Sequence, residues 1–309
     1  MWRIWASAFF WGLNWPVIKV LLTGAGPWTL RAAGLTGGAL LLFAATMAMG
    51  QSLRIPRRHW GAIALASMLN VTAFNLLSVF AQMSMSASRA AILTYTMPLW
   101  SVVLARLVIG EPIDRLRGIA LALGAGGIGL LALPFWEIVQ GGGVPLGLVY
   151  VMGAAITWAA GTVYLKKAQP EGAPLALAAW QFGLGAVVVA AGMALFETPR
   201  LELERPLILA AFVFNIVFPQ AVAYALWFGL MARVPASTAA LGTLLVPVFA
   251  VAASATWLGE RLSAPDLAGF ALILAGILVD QGLRAWLPPS ATQKISIAGE
   301  TGEGSDPGA

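Results

Sequence analysis

The amino-acid sequence predicts an all-α integral membrane protein, with ten transmembrane helices arranged as two inverted five-helix repeats. Three observations lead to this prediction. Of the 309 residues, 60% are hydrophobic and only 10% are charged, whereas a soluble chain carries about 25% charged residues. The apolar residues fall into runs of about 20, the length of a helix that spans a bilayer. Finally, motifs of the first half recur in the second half.

The composition also excludes whole classes of function. The 18 basic and 13 acidic residues are too few to solvate the surface of a soluble enzyme, and the hydrophobicity is too high for a disordered chain. With no cysteine and one histidine, thiolate and multi-histidine metal sites are excluded, so neither a metal nor another cofactor is predicted. The expected partners are a small-molecule substrate and membrane lipid, without nucleic acid, and the protein is predicted to be a monomer.

Ten apolar runs are long enough to cross a membrane as helices. In order, they cover residues 4–22, 28–49, 60–82, 87–109, 116–135, 145–165, 173–196, 206–230, 235–258 and 265–286. Glycine, proline and charged residues mark the breaks between runs, at 24–27, 51–58, 111–112, 141–145, 169–174, 198–206, 233–235 and 260–265. Barrel strands are excluded because the runs are about twice too long and do not alternate.

Two runs and the tail need a separate interpretation. The first run is interrupted by Asn14, Pro16 and Lys19, which distinguishes a retained helix from a signal peptide. In the fifth run, Gly118, Ala122 and Gly126 have the spacing of a small-residue ridge for close helix packing. Residues 288–309 are polar and lack periodicity, and so are predicted to be disordered.

The distribution of lysine and arginine predicts the orientation. If the N-terminus is cytoplasmic, most basic residues between or beside the spans lie on the cytoplasmic side, and the opposite loops carry only Arg200, Arg205 and Arg261. Because basic residues are concentrated in cytoplasmic loops, both termini are predicted to be cytoplasmic, in a bacterial inner membrane. Lys19, Arg31 and Arg89 lie near the opposite ends of their helices, where the expectation is that they snorkel to the headgroups.

An internal repeat divides the chain into residues 1–137, residues 145–287 and the tail. Trp11 and Lys19 match Trp158 and Lys166 at an offset of 147. At an offset of 149, the set Ser88, Ala90, Ala91, Pro98, Gly110 and Glu111 matches Ser237, Ala239, Ala240, Pro247, Gly259 and Glu260. Five helices per half reverse the orientation of the second half, which predicts an inverted repeat of the kind that transporters use for alternating access. Duplication without alternating access is the alternative.

Several of these motifs together resemble a known family. The segment Trp11-Gly-Leu-Asn-Trp-Pro16, Arg31, the segment 81–91, Pro98 and the two Gly-Glu pairs resemble, in this order, the EamA-type ten-helix transporters of the drug/metabolite transporter superfamily. The resemblance implies ten helices and the transport, usually export, of small metabolites. Within the family it is greatest to exporters of aromatic amino acids. In the second half, Ala159-Ala-Gly161 replaces Gly12-Leu-Asn14, so any polar contact of Asn14 is expected to be asymmetric.

Polar and aromatic residues inside the spans are the candidates for a central substrate cavity, because polar groups in hydrocarbon turn toward the bundle interior. Amide groups both donate and accept hydrogen bonds, which suits a zwitterionic or neutral polar substrate. The predicted binding residues are Trp11, Asn14, Asn75, Ser78, Tyr95, Trp158, Trp180, Gln181, Gln220 and Tyr224, and the predicted hinges are Pro98 and Pro247. The alternatives are hydrogen bonds that only join helices, and static kinks.

The spans carry no carboxylate near their centres, which argues against proton coupling through a membrane glutamate and against a permanently cationic substrate. The expected function is therefore a secondary transporter that exports or exchanges amino acids, including aromatic ones. A channel or scramblase and a multidrug exporter are the alternatives. An intramembrane lipid-modifying enzyme is a weaker alternative, because it needs clustered acids, histidine or cysteine.

Overall fold

A computed structural model describes residues 2–224, 226 and 245–282, and almost all of them are helical. Six stretches are long and apolar enough to cross a membrane, and two shorter apolar helices follow them. We number the helices α1 Trp2–Leu21, α2 Pro27–Ala48, α3 Arg57–Ser84, α4 Ala87–Ile109, α5 Arg115–Phe135, α6 Leu146–Ala168, α7 Pro174–Phe196, α8 Pro206–Val222, α9 Leu245–Leu258 and α10 Ala264–Ile277. The prediction of an all-α membrane protein is confirmed.

Within the described residues, the helices begin and end close to the predicted boundaries, although two details differ. The predicted ends of the eighth and tenth spans lie outside the described residues. A short helix, Trp136–Gln140, follows α5. Helix α4 consists of two segments, because the first ends at Thr94 and the second starts at Met97. Pro98 lies in the first turn of the second segment, where its missing N–H leaves no helical hydrogen bond unmade. Pro98 is therefore beside an interruption of α4, rather than in the middle of a continuous helix.

The described residues include three π-helical segments, a conformation that is rare overall and frequent at functional sites. They are Ser67–Ala73 in α3, Ile216–Val222 in α8, and Leu278–Gly282 after α10. The first two lie 149 residues apart, the same offset as the sequence repeat.

The principal packing partners come from opposite halves of the chain. Helix α1 packs against α9, α2 against α7, and α5 against α10, while α6 packs against both α3 and α4. Close contact between α5 and α10 depends on glycine, since a Cβ on Gly127 would lie 2.7 Å from the carbonyl oxygen of Gly269.

The small-residue ridge of α5 is not the predicted one. A Cβ on Gly118 would meet open space, and one on Gly126 would make only ordinary contact with Leu272. The face against α10 instead carries Ala120 and Gly127, whose carbonyl oxygens would lie 2.7 Å from a Cβ on Gly276 and 2.8 Å from a Cβ on Gly269, whereas a Cβ on Gly124 would meet Leu99 of α4. The prediction was wrong because several small residues share this helix, and only the position of α10 selects which of them it covers. The predicted start of the ninth span, with Ser237, Ala239 and Ala240, and the tail 288–309 lie outside the described residues.

Candidate functional site

A cavity of about 640 Å³ lies between helices of the two halves. Helices α1 to α4 line it from the first half, and α6 to α8 line it from the second half. All but one of the predicted binding residues are in its lining, together with Pro98: Trp11, Asn14, Asn75, Ser78, Tyr95, Trp158, Gln181, Gln220 and Tyr224. The period of a helix explains why residues far apart in the sequence meet here, since each helix turns one polar stripe toward the centre.

Trp180 is the exception, and lies outside the cavity. Its indole Nε1 donates a hydrogen bond to the carbonyl oxygen of Leu53 at 2.9 Å. Its ring packs against Trp60 at 4.8 Å and against Phe43 at 5.0 Å between centroids. Because neighbouring residues of a helix point in directions about 100° apart, Gln181 faces the cavity while Trp180 does not. Pro247 is buried in α9 and is likewise not in the described lining.

A chain of amides joins the two halves across the cavity. Nδ2 of Asn215 donates to Oδ1 of Asn14 at 2.7 Å, and Nε2 of Gln220 donates to Oδ1 of Asn215 at 3.3 Å. The contact of Asn14 is asymmetric, as expected, because its partner is in α8. Among the described residues, Oε1 of Gln220 is buried without a hydrogen-bond partner. Asn14 thus joins α1 to α8 while it lines the cavity, and Gln220 extends the amide chain within α8.

The aromatic part of the lining is held by edge-on ring contacts. The rings of Trp11 and Tyr224 are 5.5 Å apart, and those of Tyr224 and Phe182 are 5.4 Å apart. Nε1 of Trp11 donates to the carbonyl oxygen of Pro219 at 2.9 Å. That carbonyl is in the π-helical segment of α8, so the segment supplies a main-chain acceptor to a side chain of the other half.

Lys19, Arg31 and Arg89 were expected to extend to the headgroups, but the structure places their side chains in contacts inside the bundle. Arg31 is 6% exposed, lines the cavity, and donates through Nη2 to Oγ of Ser78 at 3.0 Å. Nζ of Lys19 donates to the carbonyl oxygen of Met85 at 2.9 Å. Arg89 forms a bidentate ion pair with Asp266. The expectation was wrong because neighbouring helices cover these positions, which hydropathy along one helix does not reveal.

Carboxylates from the second half cap two helix N-termini of the first half. The amides of Ala87 and Ser88, which start α4, donate to Glu260 at 2.7 and 2.9 Å, and Oγ of Ser88 donates at 2.6 Å. Glu197 accepts in the same way from the amides of Trp28 and Thr29, at the start of α2. An anion at a helix N-terminus is favourable because it meets free N–H groups and the positive end of the dipole. We call this side of the bundle the Glu260 end.

Asp266, which is not among the predicted site residues, belongs to the same end. It forms a capping box with Ser263, in which each side chain accepts from the backbone N–H of the other residue. The spacing Ser-x-x-Asp before an apolar run is a signal from which this cap is predictable. The ion pair with Arg89 was not predictable in this way, since it joins positions 177 residues apart.

At the opposite side, four charged residues complete the lining, and we call this side the Glu111 end. Arg117 bridges Glu111 at 3.3 Å and Asp280 at 3.7 Å, and Lys166 donates a hydrogen bond to Glu111. That hydrogen bond is the main reason why the pKa of Glu111 is lowered, against the opposing effect of burial. The side chain of Lys166 is 64% exposed, so the lining reaches the surface at this end.

Comparisons with known proteins agree with this architecture. The model of the EamA-like transporter family matches residues 2–133 and 145–279. The chain is 28% identical over 269 residues to "Uncharacterized transporter YvbV" of Bacillus subtilis, covering 86% of each chain. It is 28% identical over 291 residues to the "Probable amino-acid metabolite efflux pump" of Escherichia coli, covering 89% of this chain and 92% of that protein.

A second relative with that name, from Salmonella typhimurium, is 29% identical over 286 residues, covering 87% of this chain and 90% of that protein. One solved crystal structure matches with a TM-score of 0.63 at 21% identity, over 91% of this chain and 96% of that chain. At this identity the match supports the fold alone.

Proposed function

Because the chain belongs to the EamA-like transporter family, we propose that it is a secondary transporter that exports or exchanges amino acids, including aromatic ones, by alternating access. Family membership makes the protein a membrane transporter rather than an enzyme. The observation that carries the finer proposal is the cavity, because its lining combines amides and aromatic rings from both halves. The relatives named as amino-acid metabolite efflux pumps support the substrate class.

The lining has the chemistry that an amino acid requires. Amide groups such as those of Asn75 and Gln181 both donate and accept hydrogen bonds, and so suit a carboxylate and an ammonium group. The faces and edges of Trp158 and Tyr224 provide flat apolar contact for a substrate side chain. The volume, about 640 Å³, is within the range of small-molecule sites.

Alternating access is supported by the arrangement of the two halves. In the proposed inverted repeat, residues 1–137 and 145–287 exchange conformations to expose the cavity on either side. The cross-half packing of α1 with α9 and of α4 with α6, and the π-helical segments of α3 and α8 at matching positions, fit such a repeat. We place both termini in the cytoplasm of a bacterium, with Glu111 on the cytoplasmic side and Glu260 on the outer side.

Uptake into proteoliposomes tests the proposal. Purified protein is reconstituted, and the uptake of radiolabelled L-phenylalanine and L-tryptophan is measured against unlabelled amino acids as competitors. Saturable, stereoselective uptake is the expected result. Flux that neither saturates nor discriminates between enantiomers is expected of a channel or scramblase, and the absence of amino-acid flux would refute the substrate class.

Two variants connect the uptake to the cavity. Trp158→Ala and Tyr224→Ala are expected to reduce uptake without loss of expression, because each removes a ring that lines the cavity. Trp136→Ala is the matched control, since Trp136 is 60% exposed and outside the described lining. Wild-type uptake in both cavity variants would remove these two residues from the site.

A further inference from the structure

The cavity contains a buried guanidinium for which the described residues supply no counter-ion. Arg31 is 6% exposed, and none of the described ion pairs includes it. Its one hydrogen bond to a side chain goes to the neutral hydroxyl of Ser78, at 3.0 Å. Its Nε is buried and has no hydrogen-bond partner among the described residues. Such a cation is costly to bury, and buried charges in proteins are normally paired.

The described acids of the lining and of the Glu260 end interact with groups other than Arg31. Glu111 and Asp280 lie at the Glu111 end of the cavity, where Arg117 bridges them. At the Glu260 end, Glu197 and Glu260 each accept from helix N-termini and serine or threonine hydroxyls, while Asp266 is paired with Arg89. The unbalanced positive charge of Arg31 therefore faces the cavity.

An unused acceptor lies beside this donor. Gln82 is 1% exposed, and its buried Oε1 has no hydrogen-bond partner in the part of the chain that the structure describes. Ser78, which accepts from Arg31, precedes Gln82 by one helical turn on α3, so the two side chains share one face. All three residues line the cavity. Among the described residues, the site thus presents a cationic donor with an unused N–H and an unused neutral acceptor, about one helical turn apart.

We propose that Arg31 binds the carboxylate of the transported substrate, with Oε1 of Gln82 accepting from its ammonium group. This assignment rests on the proposed function and narrows its substrate class to molecules that carry a carboxylate, with α-amino acids preferred. Arginine suits this role because its planar fork can form two parallel hydrogen bonds to a carboxylate. An α-amino acid places its ammonium group one carbon away from the carboxylate, which fits neighbouring donor and acceptor groups.

Stability distinguishes this role from a structural one. A residue that holds helices together destabilises the protein when it is removed, whereas an uncompensated buried cation does not stabilise the unliganded state. We therefore expect Arg31→Met and Arg31→Gln to keep or raise the melting temperature of the unliganded protein, while they lose binding. A melting temperature that falls together with binding would contradict the assignment.

The experiment uses purified, full-length protein and three probes that share one aromatic ring. L-phenylalanine carries both charged groups, 3-phenylpropionate lacks the ammonium group, and L-phenylalaninamide lacks the carboxylate. Binding is measured by calorimetry for the wild type, Arg31→Gln, Arg31→Lys and Gln82→Met. The control is Arg54→Gln, since Arg54 is an exposed loop residue of the same charge.

We expect the wild type to bind L-phenylalanine and 3-phenylpropionate, and to bind the amide about 10- to 100-fold more weakly, the size of one hydrogen bond to a charged group. In Arg31→Gln, the affinity for L-phenylalanine and for 3-phenylpropionate is expected to fall by a similar factor. The affinity of this variant for the amide is expected to be no lower than that of the wild type. Arg31→Lys is expected to be intermediate. Gln82→Met is expected to lower the affinity for L-phenylalanine but not the affinity for 3-phenylpropionate, which has no ammonium group.

Equal binding of L-phenylalanine by the wild type and Arg31→Gln would overturn the assignment while leaving amino-acid transport in place. Arg31-dependent binding of carboxylates without any amino-acid flux in proteoliposomes would uphold the assignment and refute the proposed function. A wild type that binds neither carboxylate probe refutes both.

Discussion

Glu260 caps the N-terminus of α4 at the Glu260 end, and we expect its removal to open the cavity on that side. The carboxylate accepts from two main-chain amides and one hydroxyl at the start of α4, over 2.6–2.9 Å. A hydrogen bond to a charged group contributes about 1.5–3 kcal/mol, and a lost helix cap costs about 0.5–2 kcal/mol. In Glu260→Ala, water replaces part of the lost hydrogen bonding. We therefore expect the closed form to be destabilised relative to the open form by about 2–3 kcal/mol.

This free energy corresponds to a change of about 30- to 150-fold in the ratio of open to closed forms. Site-directed cysteine labelling measures the change, since the chain has no cysteine of its own. Ile18→Cys places the label at a 2% exposed position of the lining. A membrane-impermeant maleimide is then applied from the side on which Glu260 lies, and the labelling rate is compared with and without Glu260→Ala.

The labelling rate is expected to rise by at least tenfold in Glu260→Ala and by less in Glu260→Gln, which keeps one acceptor oxygen. Glu204→Ala is the control, because Glu204 is an exposed loop acid with no described hydrogen bond to its side chain. An unchanged rate in a folded Glu260→Ala protein would refute the reasoning that this cap holds the end closed.

Three further predictions follow from individual contacts. Gly127→Ala is expected to destabilise the protein by about 1–3 kcal/mol, measured by thermal unfolding, because its Cβ would lie 2.7 Å from the main-chain carbonyl oxygen of Gly269. Trp180→Phe is expected to lose about 1 kcal/mol of stability through its hydrogen bond to Leu53, while the KM for transport stays unchanged. Glu111 has a lowered pKa, so its contribution to stability is present above its ordinary pKa of 4.5 and is lost as the pH falls. Glu111→Gln is therefore expected to flatten the acid side of the pH–stability profile.

For each of these predictions, a specific result would contradict it. Gly61→Ala is the control for Gly127→Ala, since its Cβ would meet open space, and equal stability of the two variants would show that the close approach of α5 and α10 is unimportant. A changed KM in Trp180→Phe would return Trp180 to the binding site. If Glu111→Gln and the wild type have the same pH–stability profile, the hydrogen bond between Lys166 and Glu111 contributes nothing to stability.

Much of the site was predictable because the polar stripes of single helices follow the helical period. Asn75, Ser78 and Gln82 are spaced so that they share one face of α3, and they line the cavity. Gln181 and Trp180 show the limit of this reasoning. Both side chains can form hydrogen bonds, which is unusual in the apolar helix α7. Adjacent positions of a helix cannot share a face, so only one of the two candidates can line the cavity. The packing of α7 decides which one it is.

The sequence by itself determined the class of protein, the helix boundaries and the chemistry available at the centre. These properties are local, because hydropathy, helix length and glycine or proline breaks depend only on neighbouring residues. The tertiary structure alone decided which side chains meet across the two halves. Three features depend on how separate helices pack: the hydrogen bond between Asn14 and Asn215, the cap of Glu260 on α4, and the burial of Arg31 without a counter-ion among the described residues. No period along one helix encodes such pairings, since their free energy arises only when both partners leave water together.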